Sequence, residues 1–150
     1  MKRLSQPPVL TDTALLIARV ILGVVLVAHG AQKLFDNGIA ATADGFGQMG
    51  IPVPQAAAWF AALVEFGGGI LLIVGALMPL VGVLVAINMF GAFWFAHREA
   101  GVFVTDGGWE LVAVIGALGL LLAATGAGRF SVDQVVLGRS RVSQPATAAA

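Results

Sequence analysis

The chain has 150 residues, of which 59% are apolar and only 11% charged, and its eight basic and eight acidic side chains cancel. About a quarter of the residues of a soluble domain are charged, so this composition excludes an ordinary soluble globule, and the neutral balance excludes a nucleic-acid footprint. With no cysteine anywhere, the chain on its own cannot hold a disulfide, a thiolate metal site or an Fe–S cluster, nor use a cysteine nucleophile.

In chain order, residues 1–12 form a short tail carrying Lys2 and Arg3. A cleavable signal peptide is the competing reading, but Arg19 interrupts its apolar segment, and Pro7, Pro8 and Asp12 separate that segment from the basic pair. The first apolar span runs over 13–35. Residues 36–54 connect it to the next and mix Phe46, Met49, Ile51 and Val53 with Gly and Pro. This loop is expected to lie along the membrane face as a short amphipathic or re-entrant element. From Phe66 to His97 there is no Asp, Glu, Lys or Arg. That stretch exceeds one span of about 20 residues, and it is divided at Met78-Pro79-Leu80, read as a tight turn with proline opening the next helix. The second and third spans are therefore 55–77 and 79–96, and a fourth covers 109–127. Residues 133–150, rich in Ser, Ala, Thr and Arg after Gly138, are expected to be a disordered tail.

Backbone groups in hydrocarbon must be paired within the segment, and these runs lack the alternation of barrel strands. The expectation is an all-α integral membrane bundle of four antiparallel helices. Lys2 and Arg3 at one end, and Arg129, Arg139 and Arg141 at the other, place both termini in the cytoplasm by the positive-inside rule. Trp59, Trp94 and Trp109 then gather at the outer interface.

A charge at mid-bilayer costs at least ~2.5–3.5 kcal/mol, so Arg19, Glu65 and Asn88, all inside spans, require partners or a function. Arg19 shares a helical face with Gly23, Gly30 and Lys33, and Glu65 shares one with Ala61, Ala62, Gly69 and Leu72. Small neighbours permit close helix approach. The expected arrangement is an Arg19–Glu65 pair with Asn88 beside it, serving either to fix helix register or to handle a proton or ligand.

A second group lies toward the outer end. His29 and Lys33 are spaced i, i+4, and His97, Arg98, Glu99, Trp109 and Glu110 follow in the third loop. Glu110 suits the positive end of a helix dipole, and Arg98 can reach the headgroups. His29 sits deeper in an apolar stretch, where it either titrates near neutral pH or bonds a backbone carbonyl. His29, His97, Glu65 and Glu110 form no dense ligand motif, so no metal is expected. Gly45-Phe46-Gly47 and Gly67-Gly68-Gly69 lack the Lys-Ser/Thr of a phosphate loop. Gly116 and Gly119, with Ala113, Ala117 and Ala123, read instead as a packing face on the fourth helix.

Arg19 and Gly23, the run His29-Gly30-Ala31-Gln32-Lys33-Leu34-Phe35, the segment Gly45-Phe46 and Met49 to Pro54, and Glu65 followed by Gly67-Gly68-Gly69 together resemble the DoxX family over 14–132. The resemblance implies a four-helix protein of the bacterial inner membrane. It also implies an association with thiosulfate and quinone oxidoreduction or with complexes handling oxidative stress and thiols. Distant relatives act in cargo handling or membrane-protein assembly. Carried over residue by residue, it marks Arg19, His29, Lys33 and Glu65. Direct thiol–disulfide exchange is excluded for this cysteine-free chain acting alone. The leading expectation is a membrane subunit of a redox system, with Glu65 and Arg19 as candidate catalytic groups and Arg19, His29, Lys33, Glu65 and Asn88 as candidate ligand-binding residues. Quinone is the candidate cofactor; no haem or Fe–S cluster is expected. Partners would be the lipid bilayer and a redox protein or a second copy, not nucleic acid. The alternatives are a non-catalytic anchor, assembly factor or chaperone, and a small-solute transporter.

Overall fold

A computed structural model describes residues 8–136, and every regular element in them is helical. Helix α1 runs Pro8–Ala31 and continues as a π-turn, Gln32–Asp36. Helix α2 (Ile39–Gln48) follows, then α3 (Pro54–Val74) and α4 (Met78–Ala92), which also ends in a π-turn, Phe93–His97. A 3₁₀ turn at Val104–Asp106 leads to α5, Glu110–Thr125. Three helices are long and apolar enough to cross a membrane: Val9–Asp36, Pro54–Val74 and Met78–His97. Helix α5 is apolar but has 16 residues, about 24 Å at 1.5 Å per residue, against a hydrocarbon core of about 30 Å.

The expected boundaries shift in ways the local chemistry explains. Helix α1 begins at Pro8 rather than 13, as proline is tolerated in a first turn. The loop over 36–54 contains a true helix, α2, which rests on α3 through buried Thr42 and Ala43. The turn after α3 falls at Gly75–Leu77, not at Met78–Leu80. Gly75 takes φ 72° and Leu77 φ 55°, and Pro79 sits inside the first turn of α4, where it needs no N–H partner. The expected tail from 133 onward begins inside the fold, because Asp133 accepts hydrogen bonds from the backbone N–H of Leu77 (2.8 Å) and Met78 (3.0 Å). Those are the donors an α4 N-terminus would otherwise leave unpaired. The remainder of that tail lies outside the described residues.

Two helix pairs make up most of the packing, α1 with α3 and α4 with α5, and α3 against α4 joins them. Each pair closes on glycine. A Cβ on Gly23 would lie 2.6 Å from the Gly69 carbonyl oxygen, and one on Gly30 would strike the backbone of Phe66. In the second pair Gly82 lies against the carbonyl of Gly119 and against Ala123. The core between the pairs is apolar and includes Leu26, Leu72, Met78, Val85 and Leu122.

Outside the pairs, large apolar side chains stand exposed along every long helix: Ile17, Ile21 and Val24 on α1, Leu63 and Ile70 on α3, Val83, Ile87 and Phe90 on α4, Val114 and Leu121 on α5. A soluble monomer does not expose an apolar girdle of this kind; lipid covers it. The two ends of the molecule differ. One, the loop end, carries the two π-turns, α2 and residues 98–109. The other, the tail end, gathers the start of α1, the α3–α4 turn and residues 126–136. Trp59, Trp94 and Trp109 all belong to the loop end.

Candidate functional site: a buried ion pair beside a chamber

Glu65 is 5% exposed. Its carboxylate accepts from Lys33 Nζ at 2.5 Å through Oε2 and from Asn88 Nδ2 at 3.0 Å through Oε1. Three helices thus meet on one carboxylate: α3 supplies the acceptor, and α1 and α4 the donors. Lys33 reaches it because Gly30, one turn earlier, lets α1 approach the backbone of α3 at Phe66. The π-turn starting at Gln32 then widens the last turn of α1, with Asn37 N–H bonding Gln32 O at 2.9 Å. Such turns rotate the side chains that follow and occur often at functional sites. Lys33 Nζ also lies 3.5 Å from the His29 carbonyl oxygen. Phe35 stacks edge-on against Phe66, ring centroids 5.6 Å apart, beside the pair.

The expected Arg19–Glu65 pair does not form. Arg19 is 1% exposed and is turned to the tail end, where Nη2 donates to the carbonyl oxygen of Phe130. Antiparallel register is the reason. Gly30 faces Phe66, Gly23 faces Gly69 and Ile73, and the Arg19 guanidinium lies against Gly75. Glu65 and Gly75 are ten residues apart on or just past one helix, about 15 Å, so Arg19 and Glu65 stand at different depths.

Around Arg19 the tail end forms a polar clasp. Asp133 interacts with it electrostatically, caps α4 through its side chain and donates its own N–H to Gly75 O at 3.0 Å. Asp12, near the start of α1, accepts from the Arg129 backbone N–H at 3.0 Å. Ser131 Oγ donates to Gly128 O at 2.6 Å. Nε and Nη1 of Arg19 have no hydrogen-bond partner among the described residues. Sequence reading missed Asp12, Ser131 and Asp133. Asp12 and Asp133 lie just outside the expected spans, and nothing in their spacing announces that residues more than 110 positions apart meet.

Beside the Lys33–Glu65 pair lies a chamber of about 170 Å³ between α1, α3, α4 and α5. His29, Lys33, Glu65 and His97 line it together with apolar side chains such as Met89 and Ile115. His29 and His97, grouped by the sequence at the outer end and apart from Glu65, are therefore neighbours of the same space as Glu65. His97 belongs to the second π-turn and places Nδ1 2.6 Å from the Gly107 carbonyl oxygen. Arg98, the next residue, turns away over the Trp94 ring, 4.8 Å from its centroid, and bonds Glu99 at 3.2 Å. Glu110 accepts from the Val104 N–H at 2.8 Å and thereby closes its own loop. Among the described residues no group of three His, Asp or Glu side chains is placed to hold a metal ion. The arrangement brings a carboxylate, a cation and an amide donor together inside the bundle, next to space for water or a small polar head.

Three comparisons locate the chain among known proteins. The DoxX family profile matches residues 14–98, a stretch that contains Arg19, His29, Lys33, Glu65, Asn88 and His97. A Bacillus subtilis protein named "Putative oxidoreductase CatD" is 31% identical over 121 residues, covering 81% of this chain and 85% of that relative. The Escherichia coli inner membrane proteins YphA and YqjF are each 29% identical, over 80% and 85% of this chain and 88% and 95% of their own lengths. No solved structure matches the chain. With its girdle of exposed apolar side chains and three spanning-length helices, this chain is a multi-pass protein of the bacterial inner membrane and belongs to the DoxX family.

Proposed function

We propose that the protein is the membrane subunit of a redox system and that Glu65 is its proton-handling group, serving a quinone or a proton path. The observation that carries this reading is the Lys33–Glu65–Asn88 cluster, buried within the bundle and opening onto a chamber. A carboxylate at such depth is costly and is a functional group by default. The name of the Bacillus subtilis relative points the same way. Lys33, rather than Arg19, is the cation paired with Glu65; Asn88 orients it; His29 borders the space a polar head would enter. Arg19 is a structural group of the clasp.

The membrane placement belongs to this proposal. By the positive-inside rule, with Lys2 and Arg3 before the first span in sequence and Arg129, Arg139 and Arg141 after the last, the tail end faces the cytoplasm and the loop end faces outward. Helix α5 crosses as a fourth span, its short length made up by the flanking Trp109 and Gly126–Gly128. The described residues 8–136 act as one membrane domain. A redox protein or a second copy completes the system.

The test compares membranes bearing equal amounts of wild type and Glu65→Gln, which keeps shape and hydrogen bonding but removes the charge. After an oxidant pulse the quinone pool is expected to respond in wild-type membranes and to match empty membranes in the variant. A variant indistinguishable from wild type overturns the reading. A second reading, a non-catalytic anchor or assembly factor, is favoured by the exposure of Met49 (48%) and Val53 (71%) beside α2. Under that reading Met49→Ser with Val53→Ser lowers recovery of a partner protein, and Glu65→Gln does not.

A further inference from the structure

Glu65 is buried and Lys33 largely so, so a proton needs a route to reach them, and His97 stands outside the ion pair. Two observations supply the route. The chamber that Glu65 borders is also bordered by His97, at the last turn of α4 and next to the loop at 98–109. At about 30 Å³ per molecule its volume has room for about five waters; most of its wall is apolar, and His29, Lys33, Glu65 and His97 are the side chains that offer them partners. A carbonyl oxygen cannot donate, so the 2.6 Å contact between His97 Nδ1 and Gly107 O fixes the proton on Nδ1. In the neutral ring Nε2 is then a bare acceptor, and no described residue engages it.

We propose that the chamber is a water-filled vestibule of the loop end and that His97 passes protons through it between the outer aqueous phase and Glu65. The step is a proton transfer with no change of oxidation state. A hydronium ion or buffer acid outside loses a proton as an N–H bond forms at His97 Nε2. That bond breaks as a vestibule water takes the proton and gives one to a Glu65 carboxyl oxygen, leaving Lys33 as the unpaired cation. The reverse sequence resets the site. Besides His97, the groups facing Glu65 are Lys33 and His29 from α1 and Asn88 from α4; α5 contributes only apolar side chains such as Leu111 and Ile115, and the one ionisable group of α2, Asp44, is exposed.

The inference rests on Glu65 as the proton-handling group, but its tests need no redox partner, so the two can fail separately. Because the chain lacks cysteine, single-cysteine variants report water directly. In spheroplasts treated with a membrane-impermeant thiosulfonate, Ile115→Cys inside the chamber is expected to react at least about tenfold faster than Val114→Cys on the lipid face, since the reagent requires a thiolate in water. Val112→Cys, also on the chamber wall and not exposed, provides the same readout if Ile115→Cys does not fold. Equal inertness of the chamber and lipid-face positions overturns the vestibule. In the second test, NMR of protein with ¹³C-labelled glutamate, held in lipid, follows proton exchange at Glu65. His97→Gln preserves a donor to Gly107 but cannot carry a proton, and it is expected to slow exchange by about 10²-fold or more. Exchange at the wild-type rate in that variant overturns the role of His97.

Discussion

Arg19 and Lys33 lie on one face of α1, fourteen residues apart, and the structure gives them opposite duties. Lys33 descends from the end of its helix to Glu65, whereas Arg19 turns the other way and ties the chain's last described residues to the α3–α4 turn. Removing one partner of a buried pair strands the other, which costs about 3–5 kcal/mol, whereas replacing both with apolar groups is often neutral. Lys33→Met is therefore expected to lose about 3–5 kcal/mol in detergent unfolding, and Lys33→Met/Glu65→Leu to recover most of it. A double variant as unstable as the single one contradicts the pairing. Hydropathy alone marked Arg19, Glu65 and Asn88 as costly, and the Glu65–Asn88 proximity followed from their similar depth. The partner of Glu65 was not legible. Helical periodicity reports which face a residue occupies but not how far one helix slides along another. That register is set by the close approaches at Gly30 and Gly23, which seat Phe66 and Gly69 of α3 against α1 and bring Lys33, not Arg19, to Glu65.

At the scale of elements, glycine decides which helices touch. Gly82 sits where any side chain meets the carbonyl of Gly119 and the Cβ of Ala123, whereas nothing lies within 4 Å of a Cβ at Gly67. Gly82→Val is expected to cost at least about 1–3 kcal/mol by overpacking the α4–α5 contact. Gly67→Ala is expected to gain about 0.5–1 kcal/mol from helix propensity alone. Thermal unfolding of the two variants in the same detergent checks both signs. Asp133 stabilises the α4 N-terminus from 55 residues away, and Asp133→Ala is expected to cost about 0.5–2 kcal/mol, as loss of an N-cap does. The helices themselves were plain in the sequence, since long uncharged runs leave no other paired backbone. Their ends were less so. The start of α4 depends on Leu77 in a left-handed conformation and on that distant cap, and the π-turns at Lys33 and His97 depend on packing rather than on residue type.

In the whole molecule, two glycine-closed helix pairs enclose an apolar core flanked by two polar clusters. The tail end is a clasp of Asp12, Arg19, Ser131 and Asp133, and the loop end holds the Lys33–Glu65–Asn88 cluster and its chamber. In the proposed function the loop-end cluster is the working site of a membrane redox subunit and the clasp is scaffold. Native mass spectrometry of the protein released in its own lipids tests it most directly, comparing wild type with Glu65→Gln. A mass shift matching a bound quinone is expected in wild type, and its loss in Glu65→Gln. Equal quinone retention by both, or a stoichiometric protein partner with no quinone in either, would contradict it.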